Sequence, residues 1–172
     1  MLDFPDEDVA LVGLRGPLKL EDVLFQAKKS ARIAPLQVVR ADRVLGPDHV
    51  RSAALHATRS MAEGRAHAKS LEVEFVRYLA GERQVKAALA KVGLPDEGAR
   101  EAVAVAFGAH RLDALRHFAD ALGLEEDDAV AAASEAKLLG FGITATQLGA
   151  TTAARRFDLV LEAVAAVDLM RA

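Results

Sequence analysis

The residues best placed to do chemistry are His110, Asp113, His117 and Asp120, spaced three or four apart. At helical periodicity they share one face. Imidazoles and carboxylates together could hold a divalent cation. The same four would equally form the solvated side of a helix that turns Leu112, Leu115 and Phe118 inward, and no HExxH pattern supports the metal reading. A small metal-dependent enzyme using His110, Asp113 and His117 is therefore an alternative; neither a metal ligand nor a cofactor is assigned. Glu72 and Glu74 resemble a carboxylate pair. At spacing two on a helix they diverge, so a structural pairing with Arg77 or the Lys69 side is expected. The chain has no cysteine, which removes thiol nucleophiles and thiolate metal sites. It has no GxSxG motif, and Gly140-Phe141-Gly142 lacks the Lys-Ser/Thr of a phosphate-binding loop. No catalytic residue is assigned, and the chain is not expected to be an enzyme.

Two features suit binding instead. Residues 50–91 carry eight Lys/Arg against four acids, whereas residues 1–49 are net −1 and 92–172 net −6, summing to the overall −3. Ser52, His56, Arg59, Glu63 and His67 follow one another at helical spacing, with Arg65 and Lys69 near the far end. Dispersed cations of this kind make salt-sensitive phosphate contacts. The second feature is the C-terminal helix. Phe157, Val160, Leu161, Val164 and Val167 form one apolar face, and Leu159, Ala163, Ala166 and Met170 another, nearly opposite. A helix apolar on two sides is sandwiched. Either the domain buries both faces or one meets another protein; a self-associating structural domain is a further alternative.

Composition bounds the rest. The chain has 172 residues, 52% hydrophobic and 27% charged, in the range of one soluble globular domain. Aromatics are 5% and Trp is absent, which argues against a base-stacking platform. No apolar run approaches the roughly 18 residues of a membrane helix. The acidic start MLDFPDEDVA is unlike a signal peptide, so a cytoplasmic protein with no membrane partner is expected.

These residues need a frame. Val9–Leu14, Leu36–Arg40 and Glu101–Phe107 read as strands, and Leu20–Ala31 and Arg111–Leu122 as amphipathic helices. Gly46-Pro47 opens a long helix expected to run to about Ala68. Ser70 is expected to cap a second helix to about Leu79, ended by Gly81. A third spans Gln84–Val92. Asp128–Ala133 reads as a short strand, Ser134–Leu139 as a helix ended by Gly140, residues 142–144 as a connector, and Thr152–Met170 as the final helix. The expected fold class is α+β: a small, largely antiparallel sheet packed with helices, with an inserted Ala-rich three-helix unit over about 47–93, all in a single domain of residues 1–172.

Gln37, Ala41, Val44, Gly46, His49, Ala53 and Ala57 precede the segment SLEVEFVRYLAGERQVKAALAKVG, which begins at Ser70. Within that segment stand Glu72, Glu74, Tyr78, Gly81, Arg83, Gln84, Ala88 and Gly93. In this order and spacing the set resembles the small subunit of the KEOPS/EKC complex, the PRPK-binding protein family. FGIT at 141–144 and VAAVDL at 164–169 resemble the tail of that family. The resemblance implies a non-catalytic subunit that binds and stimulates a small atypical kinase/ATPase within a larger KEOPS assembly. That assembly makes threonylcarbamoyladenosine beside the tRNA anticodon, and archaeal-like members resemble binders of the tRNA 3′ acceptor end. Given that role, charge and helical phase place tRNA on His56, Arg59, Arg65, Lys69, Arg83 and Lys86. The kinase is placed on Leu148, Leu159, Ala163, Ala166 and Met170.

Overall fold

The computed structural model describes residues 1–170. Strands β1 (Leu2–Phe4), β2 (Val9–Leu18), β3 (Leu36–Arg40), β4 (Ala99–Phe107) and β5 (Glu125–Glu126) form one antiparallel sheet in the order β1-β2-β4-β3, with β5 paired to β2. Helices among the described residues are α1 (Leu20–Ser30), α2 (Pro47–Ala62), α3 (Leu71–Ala80), α4 (Val85–Val92), α5 (Arg111–Leu122), α6 (Glu135–Phe141), α7 (Ala145–Ala150) and α8 (Asp158–Ala166). The fold is α+β, as the sequence predicts.

The chain divides into two compact units, Met1–Ala41 with Gly93–Ala131, and Asp42–Val92 with Ala132–Ala172. The first holds the sheet. Ala10, Val12 and Leu14 of β2, Leu36 and Val38 of β3, and Ala102, Ala104 and Ala106 of β4 share a core with Val23 of α1 and Ala114, Leu115, Phe118 and Ala119 of α5. Val9–Leu14 and Ala102–Phe107 are solvent-excluded at every position. This explains why the alternation over Glu101–Phe107 is only weak. Leu112 and Leu122 lie at the margin of the α5 face.

One sequence expectation fails in this unit. Asp128–Ala131 is a 3-10 turn, not a strand, and the strand is the acidic pair Glu125–Glu126. Two carboxylates bend the chain there. Asp127 accepts from the Ala129 N–H at 3.0 Å, and Asp128 accepts from the Gly13 N–H at 3.1 Å. Such side-chain bonds to nearby backbone compete with a ladder. Gly13 makes the approach possible: a Cβ there would lie 2.1 Å from the Asp127 carbonyl oxygen.

The second unit is helical. Its apolar cluster is Leu45, Leu138, Phe141, Ile143 and Val160, with Leu148, Leu159 and Ala163 packed against it. Several boundaries differ from those expected. α2 ends at Ala62 rather than near Ala68, because Gly64 turns left-handed at φ 67°. Ser70 sits at the N-cap of α3 but makes no capping bond. Glu74 captures the preceding loop instead, accepting from the His67 and Ala68 N–H groups at 3.2 and 2.9 Å. Gly81 ends α3 in the left-handed region as predicted. α6 is capped by the Ser134 hydroxyl, which accepts from the Lys137 N–H, and it runs past Gly140 to Phe141. Gly140 does not stop the helix; it makes room, since a Cβ there would lie 2.6 Å from Arg43 Nη1. α7 is unforeseen. Its signal is the reciprocal capping box between Thr144 and Gln147. The expected helix over 152–170 is broken into a 3-10 turn at Ala153–Arg155, α8, and a second 3-10 turn at Val167–Leu169.

Candidate functional site

The basic segment sorts into inward and outward cations once the helices are in place. Arg77 and Glu74 form a buried pair, 2% and 0% exposed. Ser60 Oγ donates to Glu74 at 3.1 Å, and Arg77 Nε donates to the Arg83 carbonyl at 2.6 Å. This network joins the end of α2, the 67–68 loop, α3 and the entry to α4. The expected structural pairing of Glu74 with Arg77 is therefore present. Lys91 also turns inward. Its ammonium donates to the Ala80 carbonyl at 2.7 Å and lies 4.0 Å from the Phe141 ring centroid. Burial is the main cause that lowers its pKa.

His56 and Arg65 are brought together, and they are engaged. His56 stacks on Tyr78 with ring centroids 5.5 Å apart and planes at 26°. Its Nδ1 lies 3.3 Å from Asp168 Oδ2. Arg65 Nη1 donates to Asp168 Oδ1 at 3.0 Å, and its Nε donates to Glu63 at 2.6 Å. The Tyr78 hydroxyl donates to Asp168 Oδ1 at 2.6 Å. Burial works against ionisation of Asp168, yet the hydrogen bonds from Tyr78, Arg65 and His56 outweigh it and hold the carboxyl below the usual range. Burial, followed by the Asp168 contact, raises the Tyr78 phenol. Asp168 is the residue that sequence reasoning missed as part of this surface. No spacing signal could have found it, because it lies ninety residues beyond Tyr78 in the chain.

Of the five remaining basic residues, Arg51 lies 3.7 Å from Asp48, and the other four face outward. Arg59, Lys69 and Lys86 are exposed and Arg83 is half-buried. Among the described residues none of these four side chains makes an ion pair. They are the cations available to an external anion.

The residues assigned to a protein partner do not share one fully open surface. Leu148, Leu159 and Ala163 are partly covered by the helical cluster, Ala166 is half-buried, and Met170 is 42% exposed. Ala163 abuts Gly81: a Cβ on that glycine would stand 3.4 Å from Ala163 Cβ. On the other face of α8, Val160 and Val164, with Val167 beyond, are buried, while Phe157 is 36% exposed. The last turn leaves Leu169 80% exposed.

His110 and Asp113 lie exposed at 3.6 Å, and Asp113 also reaches Arg116 at 3.6 Å. Among the described residues no three His, Cys, Asp or Glu gather closely enough to hold a metal ion. No described helix is long and apolar enough to cross a membrane.

His49 is another functional-looking side chain with a structural job. It is 1% exposed, accepts the Leu45 N–H on Nδ1 at 3.2 Å, and reaches the Leu79 carbonyl through Nε2 at 2.9 Å. Those bonds fix the neutral tautomer protonated on Nε2. Burial lowers its pKa to about 4, the Leu79 contact opposes that, and Lys91 adds to it.

No curated protein matches the chain significantly. The family model described as kinase binding protein CGI-121 matches residues 19–141, a span covering α1 through α6, the buried Glu74–Arg77 network and the outward cations. That is the KEOPS/EKC subunit family which the Gln37–Gly93 residues resemble, and the chain belongs to it.

Proposed function

We propose that this protein is a non-catalytic subunit that binds and stimulates a small kinase/ATPase and helps to recruit tRNA for N6-threonylcarbamoyladenosine modification within a KEOPS-type assembly. The observation that carries the reading is the kinase-binding family match across residues 19–141. It is supported by the apolar side chains left open at the end of the chain, Leu169 and Met170, which suit a protein contact. It is also supported by the unpaired cations Arg59, Lys69, Arg83 and Lys86, which suit phosphates. The tRNA 3′ acceptor end is the part of the nucleic acid that the family resemblance suggests.

On this reading the chain works by positioning. Its outward cations neutralise tRNA phosphates, releasing counterions and holding the acceptor end. Its apolar terminal turn holds the kinase, and chemistry belongs to other subunits. Co-purification with the cognate kinase, with and without tRNA, tests it. A stable binary complex that gains tRNA affinity over the kinase alone is expected; a protein that binds neither would overturn it.

A further inference from the structure

The geometry points to an oxyanion site that the chain fills with the side-chain carboxylate of Asp168. Three donors from separate parts of the helical unit converge on one side chain: Tyr78 Oη at 2.6 Å, Arg65 Nη1 at 3.0 Å and His56 Nδ1 at 3.3 Å from Asp168. The donor set is the one used to hold a phosphate: a guanidinium, a phenol and an imidazole around a negatively charged oxygen pair. It lies at the surface, with the Asp168, His56 and Arg65 side chains 27%, 20% and 44% exposed. Stacking of His56 on Tyr78 orients two of the donors independently of the acid. The acid itself sits on a short 3-10 turn, between Val167, which is buried, and Leu169, which is exposed. The donors belong to the α2–α3 framework, and the acceptor to the last turn of the described chain.

Asp168 is thus an internal counter-anion. While it is seated, Asp168 occupies His56 Nδ1 and Arg65 Nη1, which then cannot serve an external phosphate; when the terminal turn lifts, a phosphate oxygen takes the same three donors, with Glu63 still on the other edge of the Arg65 guanidinium. The ligand class is a phosphate or phosphodiester group. The inference rests on the proposed nucleic-acid role and deepens it. Arg59, Lys69, Arg83 and Lys86 are always available, whereas His56 and Arg65 are released only when the turn opens. The terminal turn also carries the exposed Leu169, so anything that binds that side chain shifts the same equilibrium.

The test is Asp168→Asn in the full chain, which keeps an acceptor for Tyr78 and removes the charge. Affinity for unfractionated tRNA is measured across a salt series, with circular dichroism and thermal melting to verify the fold. One additional phosphate contact changes the log–log salt slope by about 0.7 to 0.9, which corresponds to about fivefold tighter binding near 0.15 M salt. Arg65→Gln in the Asp168→Asn background should remove the gain. Glu162→Gln, the same charge change on exposed α8 surface, should not produce it. Independently of RNA, inorganic phosphate should shift the His56 ring resonances in Asp168→Asn and not in the unchanged protein. A folded Asp168→Asn protein with unchanged tRNA affinity and no phosphate-induced His56 shift would overturn the inference. So would a gain that persists with Arg65→Gln or is matched by Glu162→Gln. If neither protein binds tRNA, the nucleic-acid role fails by itself, and the His56 response to phosphate still decides whether the site exists.

Discussion

Glu74 illustrates how a residue that looks like half of a catalytic pair becomes structural once its neighbours are known. Both of its oxygens are used, by Ser60 and Arg77 on one side and by the His67 and Ala68 backbone on the other. Removing one partner of a buried pair strands the other charge and typically costs about 3–5 kcal/mol. Glu74→Gln should therefore lower the stability of the protein by about that much in urea unfolding. The double change Glu74→Gln with Arg77→Met should cost less than the single one; a double variant much weaker than Glu74→Gln would sink this account of the pair. His49 gives a prediction with a definite sign. Its folded pKa, about 4, is below its unfolded value of about 6.5. The unfolded chain then binds the proton first as pH falls, so its contribution is complete above about pH 6.5 and is lost on descending to about pH 4. At about 1.4 kcal/mol per unit this amounts to roughly 3 kcal/mol. His49→Asn should flatten the decline of stability over that window, and parallel pH profiles for the two proteins would contradict it.

At the scale of elements, the legible parts of the fold were those whose signal is local. The α5 boundaries, Arg111 to Leu122, follow from an apolar period and the left-handed Gly123 at its end. Gly81 ends α3 for the same reason. β3 was visible as a short strand after Pro35, and β4 as a weakly alternating segment after a turn signal. The illegible parts depend on contacts distant in sequence. Gly140 reads as a stop signal, but its lack of a side chain serves Arg43, nearly a hundred residues earlier. Asp128 reads as the start of a strand, but it accepts from the Gly13 N–H, and its neighbour Asp127 bonds Arg15. Gly13→Ala should consequently destabilise the protein by about 1–3 kcal/mol, because a Cβ at 2.1 Å from a backbone carbonyl cannot be accommodated without moving the turn. Thermal unfolding of that variant measures it, and a melting temperature within a degree of the unchanged protein would show that the turn yields freely. The close approach of Ala163 to Gly81 has a practical consequence too. Arg at position 163 would perturb folding, so Leu169→Glu and Met170→Glu are the better probes of a protein contact.

For the whole molecule, charge distribution matters more than its total. The basic stripe was legible as a composition shift, but composition counts cations without saying which are free. Arg77 and Lys91 turn inward, Arg65 is held by Glu63 and Asp168, and Arg59, Lys69, Arg83 and Lys86 are left for an external anion. Reversing two of those, Arg59→Glu with Lys69→Glu, should weaken tRNA binding by at least tenfold at 0.15 M salt and lower the salt slope by about 1.4 to 1.8, since each lost phosphate contact removes about 0.7 to 0.9. Filter binding across a salt series reads both quantities, and unchanged affinity in the folded double variant would rule out this surface. The central claim is that the protein acts by holding a kinase, and the most direct test is isothermal titration of the purified chain with its cognate kinase/ATPase subunit in RNA-free buffer. A saturable one-to-one complex, weakened at least tenfold by Leu169→Glu with Met170→Glu, is the predicted result. No heat of binding and no co-migration on gel filtration at micromolar concentrations would contradict it.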